Sequence, residues 1–204
     1  MGSALPPVGF ETARLHLHVV APGSRFGRIY LDRYPDPLGF GKTPSRFSDP
    51  RRRKPANRFG VLYMGGTIKV CFLEAVLRDQ RDGSIGDLPI SESALHNRQY
   101  AQIEVIDPLT MIDLRDDGAI KMGVPTDVAK SSKQSLARKW AVAFHEHRDQ
   151  VDGIIYPSRL NGHTNLAVFD RAIGKLKAVG ATKLIRAPGL ANVLDDLNVA
   201  IVDP

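Results

Sequence analysis

Three polar side chains stand in surroundings that do not suit them. Glu74 lies in the middle of Ile68–Leu77, where Ile68, Val70, Cys71, Phe72, Leu73, Ala75, Val76 and Leu77 are all apolar. Arg46 sits between Ser45 and Phe47 in a segment rich in proline and glycine. Ser158 follows Pro157, where the apolar run Gly153–Tyr156 breaks. A carboxylate in an apolar helix must find a partner, change its pKa or face a functional cavity. A guanidinium offers a planar fork of donors to phosphate or ribose oxygens. Each residue also has a plain structural explanation. Arg46 can be a surface residue, Glu74 the partner of a core Arg or Lys, and Ser158 a turn residue.

The element that must position Glu74 is the stretch Phe59–Asp79. Val61–Met64 reads as a short buried strand, and Gly65-Gly66 permits a sharp turn because glycine tolerates positive φ. Thr67 is a suitable N-cap. The helix that follows is apolar almost all round and is therefore expected to be buried. Further strands are expected at 13–20, where Leu15, Leu17 and Val19 alternate with His16 and His18, and at 100–106, 109–114, 153–156 and 165–169. Residues 181–187 and 198–202 are weaker strand candidates. Gln134–His147 reads as a helix with Leu136, Trp140, Ala143 and Phe144 on one side. Residues 21–58 read as a long loop that is functional or disordered. Its aromatic residues Phe26, Tyr30, Tyr34, Phe40 and Phe47 argue for order.

The 204 residues suit a single domain with a proper core. The net charge is +6, which fits an anionic ligand, nucleic acid or an acidic partner equally. Arg51–Lys54 reads as a solvated basic stretch, and direct nucleic-acid binding is not expected. Without interleaved aromatic and basic residues the chain does not resemble a single-strand binder. His16 and His18 share a strand face but lack a third ligand in sequence, so no metal is expected. The single Cys71 excludes a disulfide framework. No apolar run is long enough to span a bilayer, and the first residues lack the pattern of a signal peptide. A cytoplasmic location and no membrane partner are expected. P-loop, G-x-G-x-x-G, H-E-x-x-H and G-x-S-x-G signatures are absent.

In order along the chain, Ser45-Arg46-Phe47, Gly60-Val-Leu-Tyr63, Phe72-Leu-Glu74, Asp152-Gly-Ile-Ile-Tyr-Pro-Ser158 and Asn165-Leu-Ala-Val-Phe169 resemble the RES domain family, named for its Arg, Glu and Ser. The likeness covers about residues 14–175, leaving 176–204 as a C-terminal extension. It implies an α+β domain of mixed, mostly antiparallel sheets with flanking helices, similar to ADP-ribosyltransferases. It also implies a toxin of a toxin–antitoxin pair that consumes NAD+ as substrate, by hydrolysis or phosphorolysis of the nicotinamide–ribose bond or by transfer of ADP-ribose to a protein. The implied partner is an antitoxin, often with a helix-turn-helix, in a homodimer or a toxin–antitoxin oligomer. On this resemblance Glu74, Arg46 and Ser158 are the catalytic candidates. Arg46, Tyr63, Ser158 and Asn165 are the NAD+-binding candidates. A basic insertion, Arg51–Arg58, follows the arginine motif, so Arg28 and Arg58 compete with Arg46 for its role. The family's second tyrosine has no assignment here; Tyr156 is nearby and reads equally as a core residue.

Overall fold

The computed structural model describes residues 4–202 apart from 53, 79, 81, 82 and 84. Arg53 of the basic run and Asp79 at the end of the central stretch therefore lie outside the described residues. Among the described residues ten strands are formed: β1 Leu17–Val20, β2 Arg25–Leu31, β3 Val61–Gly65, β4 Leu88–Ser91, β5 Arg98–Val105, β6 Leu109–Asp113, β7 Gly153–Pro157, β8 Thr164–Phe169, β9 Leu176–Lys183 and β10 Val199–Val202. Eight of them make one sheet in the order β1-β6-β7-β8-β3-β2-β5-β9. Every neighbouring pair in it is antiparallel except β6–β7. β4 and β10 form a separate parallel pair. The helices are α1 Ile68–Phe72, α2 Glu92–His96, α3 Gly118–Lys121, α4 Asp127–Lys130, α5 Ser135–His145 and α6 Leu190–Asp196. The expected α+β class, with a mixed and mostly antiparallel sheet, is what forms.

The period-two pattern of the central strands divides the core. Val61, Ile154, Tyr156, Ala167 and Phe169 pack on one face with Ala137, Trp140, Ala141 and Phe144 of α5. Leu62, Met64, Ile155, Leu166 and Val168 take the other face. There they meet Val20, Ile103, Val105, Leu109, Met111 and Leu176, all from strands of the same sheet. The sheet therefore curls over its own side chains. A third cluster joins Phe72, Leu73, Val76 and Leu77 to Leu95, Leu184 and Leu190.

Several expectations need correction. The first strand is a sheet edge, and Leu17 and Val19 are 39% and 58% exposed, not turned inward. The 21–58 segment is not all loop, because Arg25–Leu31 pairs with β5 along its whole length. Gly27 and Arg28 interrupt the alternation that would have revealed it. Leu184–Arg186, expected as part of a strand, is a 3-10 turn. Residues 176–202 are no appendage: β9 closes the main sheet, and α6 packs against α1.

Candidate active site

Glu74 reaches its place through two local devices. Thr67 caps α1, its hydroxyl accepting from the Val70 N–H at 3.2 Å. Gly65 then lets the helix lie on the end of β3. A Cβ at Gly65 would stand 2.6 Å from Val70 Cγ1 and 2.8 Å from Cys71 Sγ, closer than any real contact. The expected single helix Ile68–Leu77 changes type midway. After Phe72 it widens into a π turn, Leu73–Leu77, closed by Arg78 N–H donating to the Leu73 carbonyl at 2.7 Å. Such wide turns cluster at functional sites. This one carries Glu74.

The Glu74 carboxylate is tied on one oxygen. Oε1 accepts from Ser158 Oγ at 2.7 Å and from Asn165 Nδ2 at 3.0 Å. Both donors are buried. Oε2 has no hydrogen-bond partner among the described residues. Among the described residues no Arg or Lys pairs with Glu74, and its partners are Ser158 and Asn165 instead of a core cation. Asn165 is placed by register: it lies opposite Tyr156 on β7 and Gly65 on β3.

Tyr63 has a different job from direct substrate contact through its hydroxyl. That hydroxyl accepts from the Phe47 N–H at 2.8 Å and shares a hydrogen bond with Ser45 Oγ at 2.9 Å. The strand thus grips both neighbours of Arg46. Phe47 is fully buried, edge-on to Tyr156. Arg46 is held half-buried and donates one Nη to the Ser131 carbonyl at 2.8 Å. It is not a loose surface residue.

These residues surround a cleft of about 490 Å³, a size suited to small ligands. Arg28, Arg46, Tyr63, Glu74, Tyr156 and Asn165 line it. Ser158 stands behind Glu74 and lines a neighbouring cavity instead. Arg58 lines neither. Tyr156, left open by the sequence, is thus part of the cleft. Burial first, and then the Tyr63 and Glu74 groups beside it, push its pKa well above the usual phenol value. Tyr63 is raised mainly by burial. Cys71, also on the wall, is pushed up to about 12 by burial and stays an unreactive thiol.

The cleft exists because the sheet splits. β2 and β3 share a single registered pair, Gly27 and Gly65. Beyond it the strands separate, with Arg28–Leu31 on one wall and Val61, Tyr63 and Met64 on the other. Val61 exchanges both backbone hydrogen bonds with Gly41, so alternate residues of β3 turn their N–H and C=O away from β8. Tyr63 therefore aims its backbone groups into the split. Ile29, two residues beyond Gly27, does the same from β2. Among the described residues neither finds a backbone partner across the gap. Unsatisfied donors and acceptors at a protected cleft are ready for a ligand. This feature escaped sequence reading, because nothing in the residue types marks where two strands part.

Among the described residues no group of three or more His, Cys, Asp or Glu side chains gathers as a metal site, and no helix is long and apolar enough to cross a membrane.

Comparison with known proteins follows the same outline. A family model described as RES domain matches residues 25–187, which include all the site residues above. A protein named "Probable toxin y4kH", from Sinorhizobium fredii (strain NBRC 101917 / NGR234), is 39% identical over 127 residues, 62% of this chain and 100% of its own length. A chain of the crystal structure of the M. tuberculosis MbcT–MbcA toxin–antitoxin complex superposes with a TM-score of 0.59. That match covers 86% of this chain and 88% of the other at 19% identity, so it speaks for the fold alone. With the family match running through the strands and the π turn that build the cleft, this chain belongs to the RES domain family.

Proposed function

We propose that this chain is an enzymatic toxin that cleaves the nicotinamide–ribose bond of NAD+ and is restrained by a cognate antitoxin. One observation carries the reading. Glu74 is fixed by Ser158 and Asn165 through Oε1, while Oε2 is left for a ligand in a cleft of dinucleotide scale. When the C1′–N bond breaks, its electron pair leaves with nicotinamide and the ribose becomes oxocarbenium-like, as in glycoside cleavage. An oriented carboxylate stabilises that cation without having to reorganise. An acceptor oxygen then bonds to C1′ and loses its proton. Water as acceptor gives ADP-ribose, and phosphate gives the 1″-phosphate.

The other groups have matching tasks. Arg46, held by the Tyr63 clamp, donates to substrate oxygens beside Glu74. The planar carboxamide of nicotinamide carries one acceptor and one donor group, which suits the open backbone N–H and C=O of Tyr63 or Ile29. A relative of this chain is named a probable toxin, and the matched fold comes from a toxin–antitoxin complex. Those names support the biological side of the proposal. The test is release of nicotinamide from NAD+ by the purified chain, with and without phosphate. A second reading is transfer of ADP-ribose to a protein. Adenylate label bound covalently to protein would reveal it.

A further inference from the structure

Arg78 closes the π turn one helical step beyond Glu74 and lines the same cleft. Its backbone sits at φ 44, ψ −118, a conformation that side chains other than glycine rarely adopt. Strain of this sort persists where the surroundings impose it, often at ligand sites. Two bonds hold the residue here. The Arg78 N–H donates to the Leu73 carbonyl at 2.7 Å, and its Nε donates to the Glu74 carbonyl at 3.0 Å. The side chain is thus anchored at Nε to the residue that bears the carboxylate. Its two Nη groups have no partner among the described residues. Arg98 lies close enough for the two positive charges to repel, and among the described residues Arg98 donates to the Ala94 carbonyl alone, at 2.6 Å. Among the described residues no carboxylate bonds to either arginine. Arg78 is exposed and Arg98 half-buried, so water screens part of this repulsion, and an arriving anion would relieve the rest.

We propose that Arg78 is a phosphate-reading residue: it receives a phosphate of the substrate while Glu74, one turn away, faces the adjoining ribose. The inference rests on the NAD+ reading above and assigns the anion within it. In the substrate the nicotinamide ribose carries a phosphate on its 5′ oxygen, so sugar and phosphate are neighbours. One rigid turn then reads both groups, and their relative placement is set by the turn instead of by separate loops.

Binding of ADP-ribose to the full chain, followed by calorimetry at several salt concentrations, tests this. The expected result is that Arg78→Gln weakens binding by about tenfold or more and flattens its salt dependence, as loss of a charge-assisted contact should. Arg78→Lys, which keeps the charge but not the fork, should recover part of the affinity. Unchanged affinity in Arg78→Gln would overturn the proposal. So would weaker binding with the wild-type salt slope, which would mean a displaced turn. Absence of ADP-ribose binding by the wild type would overturn it as well. NAD+ turnover is read separately. Arg78-dependent ADP-ribose binding without nicotinamide release would sink only the cleavage reading.

Discussion

Ser158 Oγ donates to Glu74 Oε1 at 2.7 Å, joining residues 84 positions apart. The hydroxyl is spent on the carboxylate and on accepting from the Leu160 N–H at 3.2 Å. Ser158 is therefore a positioning residue. With Asn165 it decides which Glu74 oxygen meets the ligand.

That arrangement predicts non-additive losses. Glu74→Gln should lower turnover by about a hundredfold or more, the scale of a lost transition-state electrostatic contact. Ser158→Ala and Asn165→Ala should each cost less, and their effects should shrink sharply in the Glu74→Gln background, because residues sharing one partner do not act independently. Double-mutant cycles on the rate of nicotinamide release check this. Full additivity would mean that Ser158 and Asn165 act on something other than Glu74.

Tyr63→Phe removes the acceptor of the Phe47 N–H, a group within a fully buried residue. A buried donor left unsatisfied costs about 1–3 kcal/mol. The variant should be less stable to urea by that order. It should also bind substrate more weakly, because the loop that presents Arg46 loosens. Arg46→Ala should reproduce the binding defect without the loss of stability at Phe47. A Tyr63→Phe protein as stable as wild type would show that the clamp on Ser45 and Phe47 is not needed.

The open backbone groups of Tyr63 and Ile29 predict discrimination at the pyridine substituent. A carboxylate in place of the carboxamide has no donor and carries a charge. The nicotinic acid analogue of NAD+ should therefore be cleaved with kcat/KM lower by about a hundredfold or more, as expected when a site's buried polar groups lose their partners. Equal rates with the two dinucleotides would mean that these backbone groups do not read the amide.

His145 gives a pH prediction away from the cleft. Its ring stacks on Phe59 at 4.2 Å, and burial first, with Arg171 and Arg51 adding, lowers its pKa from 6.5 to about 4. The unfolded chain then binds more protons than the folded one between these values, so stability falls as pH drops from 6.5 towards 4. Urea midpoints across this range should show the decline. His145→Phe, which keeps a ring against Phe59 and Phe169, should lessen it. An equally steep decline in His145→Phe would assign the effect to other groups.

The legible parts of this protein were those with local signals. Thr67 at the N-cap, the apolar turn with its misplaced Glu74 and the strands around Tyr63, Tyr156 and Asn165 all followed from pattern. What stayed hidden depends on contacts distant in sequence. The helix widens from Leu73 to Leu77, where Leu73, Val76 and Leu77 all enter the third core cluster, and no local residue signal marks the change. The pairing of β2 with β5 overrides a glycine-broken pattern. The gap beyond Gly27 and Gly65 is set by Gly41 taking the β3 edge at Val61. Sequence reading could name Tyr63 and Arg46 separately, but not that one holds the loop of the other.

The most direct test of the central claim is release of nicotinamide from NAD+ by the wild-type chain and by Glu74→Gln, measured side by side on folded protein. The proposed cleavage predicts release by the wild type and its near loss in Glu74→Gln, with circular dichroism unchanged. Release at the same rate by both, or by neither, would contradict it.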